Sequence, residues 1–162
     1  MSIVIRPAAL ADWRDLKAVR LAALLDVPTA FGASHASAAA FTDADWQHRA
    51  ASTPQRTFLL AYVDGQPAGL AAQVVDAKGE SSLQAMWVQR EYRGTDIAAR
   101  LVDAVKQLCL AGGHGRLVLD VSQDNLRAAA FYQKQGFVFL PQWEALDSHP
   151  HIQVQKMEWL AA

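Results

Sequence analysis

The segment Arg93-Gly94-Thr95-Asp96-Ile97-Ala98 has the composition of a polar turn that leads directly into a helix. An apolar run at 83–88 precedes the turn, and a helical pattern follows it. A turn that feeds a helix N-terminus presents unpaired backbone N–H groups and the positive end of the helix dipole. Both features favour an anion such as a pyrophosphate. The sequence therefore predicts a phosphate-bearing cofactor on residues 93–98.

Asn125 and Tyr132 are a second pair of polar side chains with a useful spacing. They are seven residues apart in a predicted helix that ends at Gly136. That spacing puts them on one helix face, about 10 Å apart along the axis. The amide can hold a polar ligand, and the phenol can exchange a proton. The alternative for Tyr132 is packing in the core with its hydroxyl satisfied.

Other reactive residue types point to structural roles. His149 and His151 flank Pro150 without a third nearby ligand, so the sequence predicts no metal site. Cys109, the only cysteine, falls on the apolar face of a predicted helix and is expected to pack in the core. A chain with one cysteine forms no intramolecular disulfide and is typical of a reducing cytosol, so we predict a cytoplasmic protein.

Composition excludes several classes of function. The chain has 162 residues, a length typical of a single domain spanning residues 1–162. Its hydrophobic fraction of 52% and charged fraction of 19% are values of a globular protein. A net charge of -1 provides no basic field for nucleic acid and no polybasic patch for a membrane. The sequence shows no apolar run long enough to span a membrane.

A predicted strand–helix–strand unit with parallel pairing positions these residues at the centre of the chain. Its second strand, Leu117–Val121, is interpreted as uniformly apolar and covered on both faces. Asp64-Gly65 predicts a two-residue hairpin, and Thr42 to Asp45 predict a capped helix start. The predicted strands are 3–5, 56–63, 67–75, 81–88, 117–121, 137–140 and 152–159; the predicted helices are 9–25, 43–50, 97–110 and 125–135; residues 29–41 and 141–150 are predicted loops.

These elements and their junctions resemble the GCN5-related N-acetyltransferase (GNAT) family. That family's acetyl-coenzyme A motif, Q/R-x-x-G-x-G/A, is similar to residues 93–98. A later family block, an Asn leading into a helix that ends Y-x-K-x-G-F, is similar to Asn125 followed by Tyr132-Gln133-Lys134-Gln135-Gly136-Phe137. Two blocks at the family spacing make the resemblance specific, and the order of elements extends it over nearly the whole chain.

The resemblance implies a fold, a co-substrate and a set of site residues. The fold would be α/β (α+β), with a mixed, mostly antiparallel sheet of about six to seven strands and a central parallel unit flanked by helices. Acetyl-coenzyme A would be the co-substrate, without a metal. Tyr132 would be the general acid, and Glu80, Glu144 or a water chain would remove the amine proton. The cofactor would contact Met86, Trp87, Val88, Arg93, Gly94, Thr95, Asp96, Ile97, Ala98, Asn125, Ala128, Tyr132 and Lys134.

Asp96 departs from the family motif, which has a glycine at that position. A carboxylate beside a pyrophosphate is unfavourable, whereas an Asp in a first helical turn can face solvent and favour the dipole. We expect acetyl-coenzyme A to bind in either case.

The resemblance implies that the acceptor is a small amine or a peptide N-terminus. We expect it to enter between the segments Pro28–Phe41 and Pro141–His151. A homodimer is a further expectation. A catalytically idle acetyl-coenzyme A-binding or sensor domain is the main alternative. A dinucleotide-binding domain is a weaker one, since no G-x-G-x-x-G follows the first strand.

Overall fold

The computed structural model describes residues 1–162 and contains seven strands and five α-helices. Short 3-10 turns lie at Leu10–Asp12, Pro28–Ala30 and Arg90–Tyr92. The strands are β1 (Ile3–Pro7), β2 (Arg56–Val63), β3 (Gln66–Val75), β4 (Ser81–Val88), β5 (Arg116–Ser122), β6 (Val138–Leu146) and β7 (His149–Leu160). The helices are α1 (Trp13–Asp26), α2 (His35–Ala39), α3 (Asp43–Ala50), α4 (Ile97–Ala111) and α5 (Leu126–Lys134).

All seven strands form one sheet in the order β1-β2-β3-β4-β5-β7-β6. Every neighbouring pair is antiparallel except β4 and β5, which are parallel and joined by α4. The predicted mixed, mostly antiparallel sheet with a central parallel unit is therefore confirmed. The β2–β3 hairpin turns at Asp64 and Gly65, both with positive φ, as the Asp-Gly pair predicts.

Two hydrophobic cores cover opposite faces of the sheet. Side chains of β2 alternate between them: Leu59 and Ala61 pack with α4, and Phe58 and Leu60 pack with α1, α2 and α3. The core under α1–α3 contains residues of β2, β3 and β4 but none of β5, β6 or β7. On that side the strands from β5 onward therefore lack a helical cover, which leaves room for a cleft.

The two parallel strands diverge soon after they meet. A single pair, Ser82 and Val118, joins β4 to β5. Beyond it a bulge in β4 sets Ala85 and Met86 against one residue of β3, and Ala85 takes a φ of 58°. A bulge bends and twists the strand that carries it. The second half of β4 thus turns away from β5, and its β5-facing backbone groups have no partner strand.

The prediction of a loop at 141–150 is wrong. β6 continues to Leu146 and β7 begins at His149, so only a tight turn separates them. β6 lies at the sheet edge, and its register shifts between Phe139 and Trp143, around Pro141. A proline lacks the N–H of a ladder hydrogen bond, and an edge strand at a register shift tolerates it.

Two smaller predictions also need correction. Residues 29–41 are not wholly irregular: α2 lies within them, and the Ser34 hydroxyl caps it by accepting a bond from the Ser37 amide at 3.1 Å. The first helix begins at Trp13 rather than near residue 9. Asp12 instead accepts two bonds from Arg6, at 2.7 and 2.9 Å, which holds the entry to the helix against β1.

The predicted helix cap at Thr42 is confirmed: Thr42 and Asp45 form a reciprocal capping box with bonds of 2.9 and 3.1 Å. Cys109 is buried in the core beneath α4, as predicted. His149 and His151 lie on β7 rather than in a loop, and the chain contains no group of three potential metal ligands. None of the helices has the length and apolar character needed to cross a membrane.

Candidate active site

The turn at residues 93–98 leaves backbone donors free at the start of α4. The first helical hydrogen bond of α4 runs from the Arg100 amide to the Asp96 carbonyl at 2.9 Å, so the amides of Asp96, Ala98 and Ala99 have no intramolecular acceptor. Gly94, at a φ of 83°, gives the turn its shape. Asp96 is exposed, and its side chain caps no backbone amide. The geometry suits an anion at this end of α4.

The Arg93 side chain braces this turn. Its Nε donates to the Val88 carbonyl at 2.9 Å, and its Nη2 donates to Asp26 Oδ2 at 2.5 Å. Trp87 Nε1 donates to the same Asp26 oxygen at 3.0 Å. These two donors, Arg93 first, lower the pKa of Asp26. Asp26, the last residue of α1, therefore holds the Arg93 side chain in place, and no local pattern connects these two residues, which lie 67 positions apart.

A cleft of about 720 Å³ lies where β4 and β5 diverge. Of the predicted site residues, it brings together Glu80, Met86, Asn125, Ala128, Tyr132 and Glu144. Val88 and Ile97 are buried core side chains, so only their backbones are available to a ligand. Trp87 and residues 93–98 do not line the cleft, and neither does the exposed Lys134. The charged side chains on its walls are Asp76, Glu80, Asp120, Glu144, Asp147, Arg20 and Lys156.

Tyr132 enters the cleft from α5 with a fixed ring. Phe131 and Phe137 pack edge-to-face against it, with ring centroids 5.3 and 5.9 Å away. Its hydroxyl makes no hydrogen bond within the chain, and burial raises the pKa of the phenol above its ordinary value. The phenol therefore stays protonated at neutral pH and is free to donate.

Asn125 is the N-cap of α5. Its Oδ1 accepts a hydrogen bond from the Ala128 amide at 3.1 Å, which fixes the side chain. The side-chain NH₂ group makes no bond within the chain and lies at the cleft wall. Asn125 and Tyr132 thus border one cleft, as their spacing on the helix suggests.

Glu80 belongs to an ion-pair network. It accepts bonds from Arg116 at 2.8 Å and Lys156 at 3.1 Å, and Arg116 also pairs with Glu158 at 2.6 Å. Lys156 is the main reason why the pKa of Glu80 is lowered. A carboxylate with two cationic partners and a lowered pKa is a poor proton acceptor, so its geometry favours a structural role.

Asp120 corrects the prediction that Leu117–Val121 is uniformly apolar, because this carboxylate interrupts the run. Its side chain points to the cleft face of β5, opposite the core face of Leu119 and Val121. Asp120 stays accessible from the cleft, but desolvation raises its pKa, and the nearby Glu144 carboxylate raises it further, against the effect of Lys156. A raised pKa brings a carboxylate closer to the range of a useful base.

The outer wall of the cleft joins two segments that are distant in sequence. The Ser148 hydroxyl, in the β6–β7 turn, donates to the Phe31 carbonyl at 2.5 Å. Gly32 lies beside the Asp147 side chain, since a Cβ built on it would sit 3.9 Å away. Arg20 of α1 contributes to this wall, with its guanidinium carbon 5.0 Å from the centre of the Phe31 ring. The segments expected to border the acceptor therefore both line the cleft.

Comparisons with known proteins agree with this architecture. The family model of the acetyltransferase (GNAT) family matches residues 20–137. An uncharacterized N-acetyltransferase of Mycobacterium tuberculosis is 34% identical over 84 residues, covering 52% of this chain and 54% of the relative. An IAA acetyltransferase of Azospirillum brasilense is 32% identical over 85 residues, or 52% and 56% of the two chains. The chain thus spans about half the length of the curated relatives it matches.

Solved structures extend the similarity to the whole chain. A GNAT-family acetyltransferase from Streptococcus pneumoniae has a TM-score of 0.80 at 24% identity, covering 99% of this chain and 100% of the other. The PaiA N-acetyltransferase of Thermoplasma acidophilum, in complex with coenzyme A, has a TM-score of 0.74 at 19% identity and covers 99% of both chains. At these identities the match shows a shared fold.

Proposed function

The chain belongs to the GNAT acetyltransferase family, and on that premise we propose that it transfers the acetyl group of acetyl-coenzyme A to an amine. The observation that carries the proposal is a series of three features along the chain from the start of α4 to the cleft. These are the free amides at the α4 N-terminus, the unpaired edge of β4 beyond its bulge, and the Tyr132 phenol in the same cleft.

These features fit the successive parts of acetyl-coenzyme A. The amides of Asp96, Ala98 and Ala99 would hold the pyrophosphate, and the unpaired edge of β4 near Met86 would bond the pantetheine amides. Backbone N–H groups there would also polarise the thioester carbonyl. Bound this way, the co-substrate supplies an activated acetyl group next to the cleft.

The side chains of the cleft would then handle the protons. An amine nitrogen forms a C–N bond to the acetyl carbon as the C–S bond breaks. Tyr132 is proposed to donate its phenolic proton to the departing sulfur, and a carboxylate to accept the proton that the amine loses. Asn125 would contact the cofactor chain through its free NH₂ group. Lys134 is exposed at the end of α5, and it would contact a phosphate of the coenzyme.

Asp120 is a better candidate for the base than Glu80, because its pKa is raised and that of Glu80 is lowered. We expect Asp120→Asn to lower kcat/KM about tenfold, since a water route to solvent remains. In the wild type, activity should fall as pH drops through the raised pKa of Asp120, and this acidic limb should disappear in the variant. A pH–rate profile measures both effects.

Glu80→Gln is the control for that experiment. It should keep the acidic limb and kcat, while lowering stability by about 0.5–1 kcal/mol because Lys156 and Arg116 lose a partly solvated partner. Loss of the acidic limb in Glu80→Gln, but not in Asp120→Asn, would return the base to Glu80. Glu144 stays a candidate, and its replacement by Gln should lower the pH of the Asp120 limb.

Asp96→Gly is expected to tighten acetyl-coenzyme A binding about three- to tenfold. It removes an exposed negative charge next to the free amides of Ala98 and Ala99 without removing any hydrogen bond of the turn. Calorimetry with the wild type and the variant, at two salt concentrations, tests this. Equal affinities at low salt would mean that the carboxylate faces away from the ligand.

The proposed activity is tested by thiol release from acetyl-coenzyme A with a panel of small amines and peptides. An active transferase releases thiol only when an acceptor is present. A catalytically idle domain would bind acetyl-coenzyme A in calorimetry but release no thiol with any acceptor. Cytoplasmic location and a homodimer remain predictions from the sequence.

A further inference from the structure

Arg20 is a cation without a counter-ion on the wall of the cleft. It projects from α1, its guanidinium lies over the Phe31 ring, and its Nη1 atom is buried without a hydrogen-bond acceptor. No ion pair of the chain includes it. Burial, followed by the nearby charge of Arg49, lowers the pKa of Arg20 to about 10. The half-buried guanidinium has no acceptor within the chain, and an external anion would supply one.

Three other arginines of the chain have carboxylate partners, in contrast to Arg20. Arg6, Arg93 and Arg116 each pair with a carboxylate. Arg14, on the same helix as Arg20, also lies over an aromatic ring but is exposed to water. Arg20 is the only arginine that lines the cleft, and it has a buried nitrogen atom and no carboxylate partner. An anion from outside the chain would therefore complete this site.

We propose that Arg20 binds a carboxylate of the acceptor, so that the acceptor is an amino acid rather than a simple amine. This inference rests on the proposed acetyl transfer. The acceptor's ammonium group would face the neighbouring carboxylates of Asp120, the proposed base, and Glu144. A zwitterion with one negative and one positive end matches a cleft that holds one unpaired guanidinium and several carboxylates.

The charge of the cleft favours a carboxylate over a phosphate. Acidic side chains outnumber basic ones on its walls by five to two, and Lys156 is already paired with Glu80. A dianionic group would meet one free guanidinium and several carboxylates, whereas a neutral zwitterion meets no net repulsion. The Phe31 ring centre lies 5.0 Å from the guanidinium carbon, and since Nη1 is buried, the carboxylate would accept hydrogen bonds from the donors that remain at the cleft.

Matched acceptors test the proposal. The standard amino acids, their carboxamides and their decarboxylated amines would be compared by thiol release. We expect at least one amino acid to exceed its own carboxamide and amine by at least about tenfold in kcat/KM, the usual effect of a charged hydrogen bond. Arg20→Met should abolish this preference, so that the kcat/KM values of the amino acid and its carboxamide differ by no more than about threefold. Arg20→Lys should keep part of the preference.

Arg14→Met is the control. Arg14 lies on the same helix and also packs over an aromatic ring, but it does not line the cleft. It should leave the preference unchanged. The free protein supplies a second readout: Arg20→Met should not lower the melting temperature, because a half-buried and unpaired charge is removed. The preferred amino acid should raise the melting temperature of the wild type and not that of Arg20→Met.

Three results would overturn the proposal. The first is acetylation of simple amines and carboxamides as fast as amino acids, which would leave the transferase function intact. A weaker affinity for acetyl-coenzyme A in Arg20→Met would assign Arg20 to the cofactor instead. If no acceptor releases thiol, the transferase function fails, and the thermal shift with the amino acids still decides the Arg20 site: equal shifts in wild type and Arg20→Met contradict it.

Discussion

Tyr132→Phe is expected to lower kcat by about 100-fold or more while acetyl-coenzyme A binding changes little. Removing a general acid costs on the order of 10²–10⁴ in rate. The ring of Phe at this position keeps the edge-to-face packing against Phe131 and Phe137, and no hydrogen bond within the chain is lost with the hydroxyl. Single-turnover thiol release measures the rate, and calorimetry measures the affinity.

The pH dependence of the wild type is a second test of the same assignment. Burial raises the pKa of Tyr132, so its protonated form, the one that donates, persists to a higher pH than that of an ordinary tyrosine near 10. On the alkaline side, kcat should therefore stay level up to about pH 10. An alkaline limb well below that value would indicate another acid.

Tyr62→Phe is the matched control. This substitution removes a hydroxyl that donates to Asp15 at 2.9 Å, beneath α1 and outside the cleft. It should cost some stability, on the order of 1 kcal/mol, and leave kcat unchanged. If both variants retain full turnover, the phenol of Tyr132 has a packing role only.

Local patterns in the sequence predict much of this molecule because their physics is local. The Asp64-Gly65 turn needs two residues that tolerate positive φ, and the Thr42–Asp45 capping box needs a hydroxyl and a carboxylate three positions apart. The turn at residues 93–98 is visible for the same reason, since a glycine and a helix start follow each other directly. Tyr132 and Asn125 share a cleft because they share a helix face.

The remaining features depend on contacts between distant segments. The bulge at Ala85 places a non-glycine residue at positive φ, which nothing in its neighbourhood along the chain indicates. Arg20 and Asp120 meet the same cleft from α1 and β5, so their chemistry is apparent only after the sheet has formed. Pro141 favours a loop when the sequence is considered alone. In the folded sheet it lies in β6, because an edge strand tolerates a residue without a backbone N–H.

Gly94→Val is expected to raise the dissociation constant of acetyl-coenzyme A about 100-fold. A φ of 83° is open to glycine and strongly unfavourable for a β-branched residue. A Cβ on Gly94 would touch no other part of the chain, so the effect arises from backbone strain and from the space that the ligand needs. The turn must rearrange, and the amides of Asp96 and Ala98 then lose their common direction.

Gly113→Val separates these causes. Gly113 has nearly the same φ, 80°, and equally open surroundings, but it lies past the other end of α4. A helix of this length places the two glycines more than about 20 Å apart. Both variants should lose on the order of 1–3 kcal/mol of stability from strain. Calorimetry should show a loss of acetyl-coenzyme A affinity in Gly94→Val alone, and an equal loss in both variants would contradict an anion site at the start of α4.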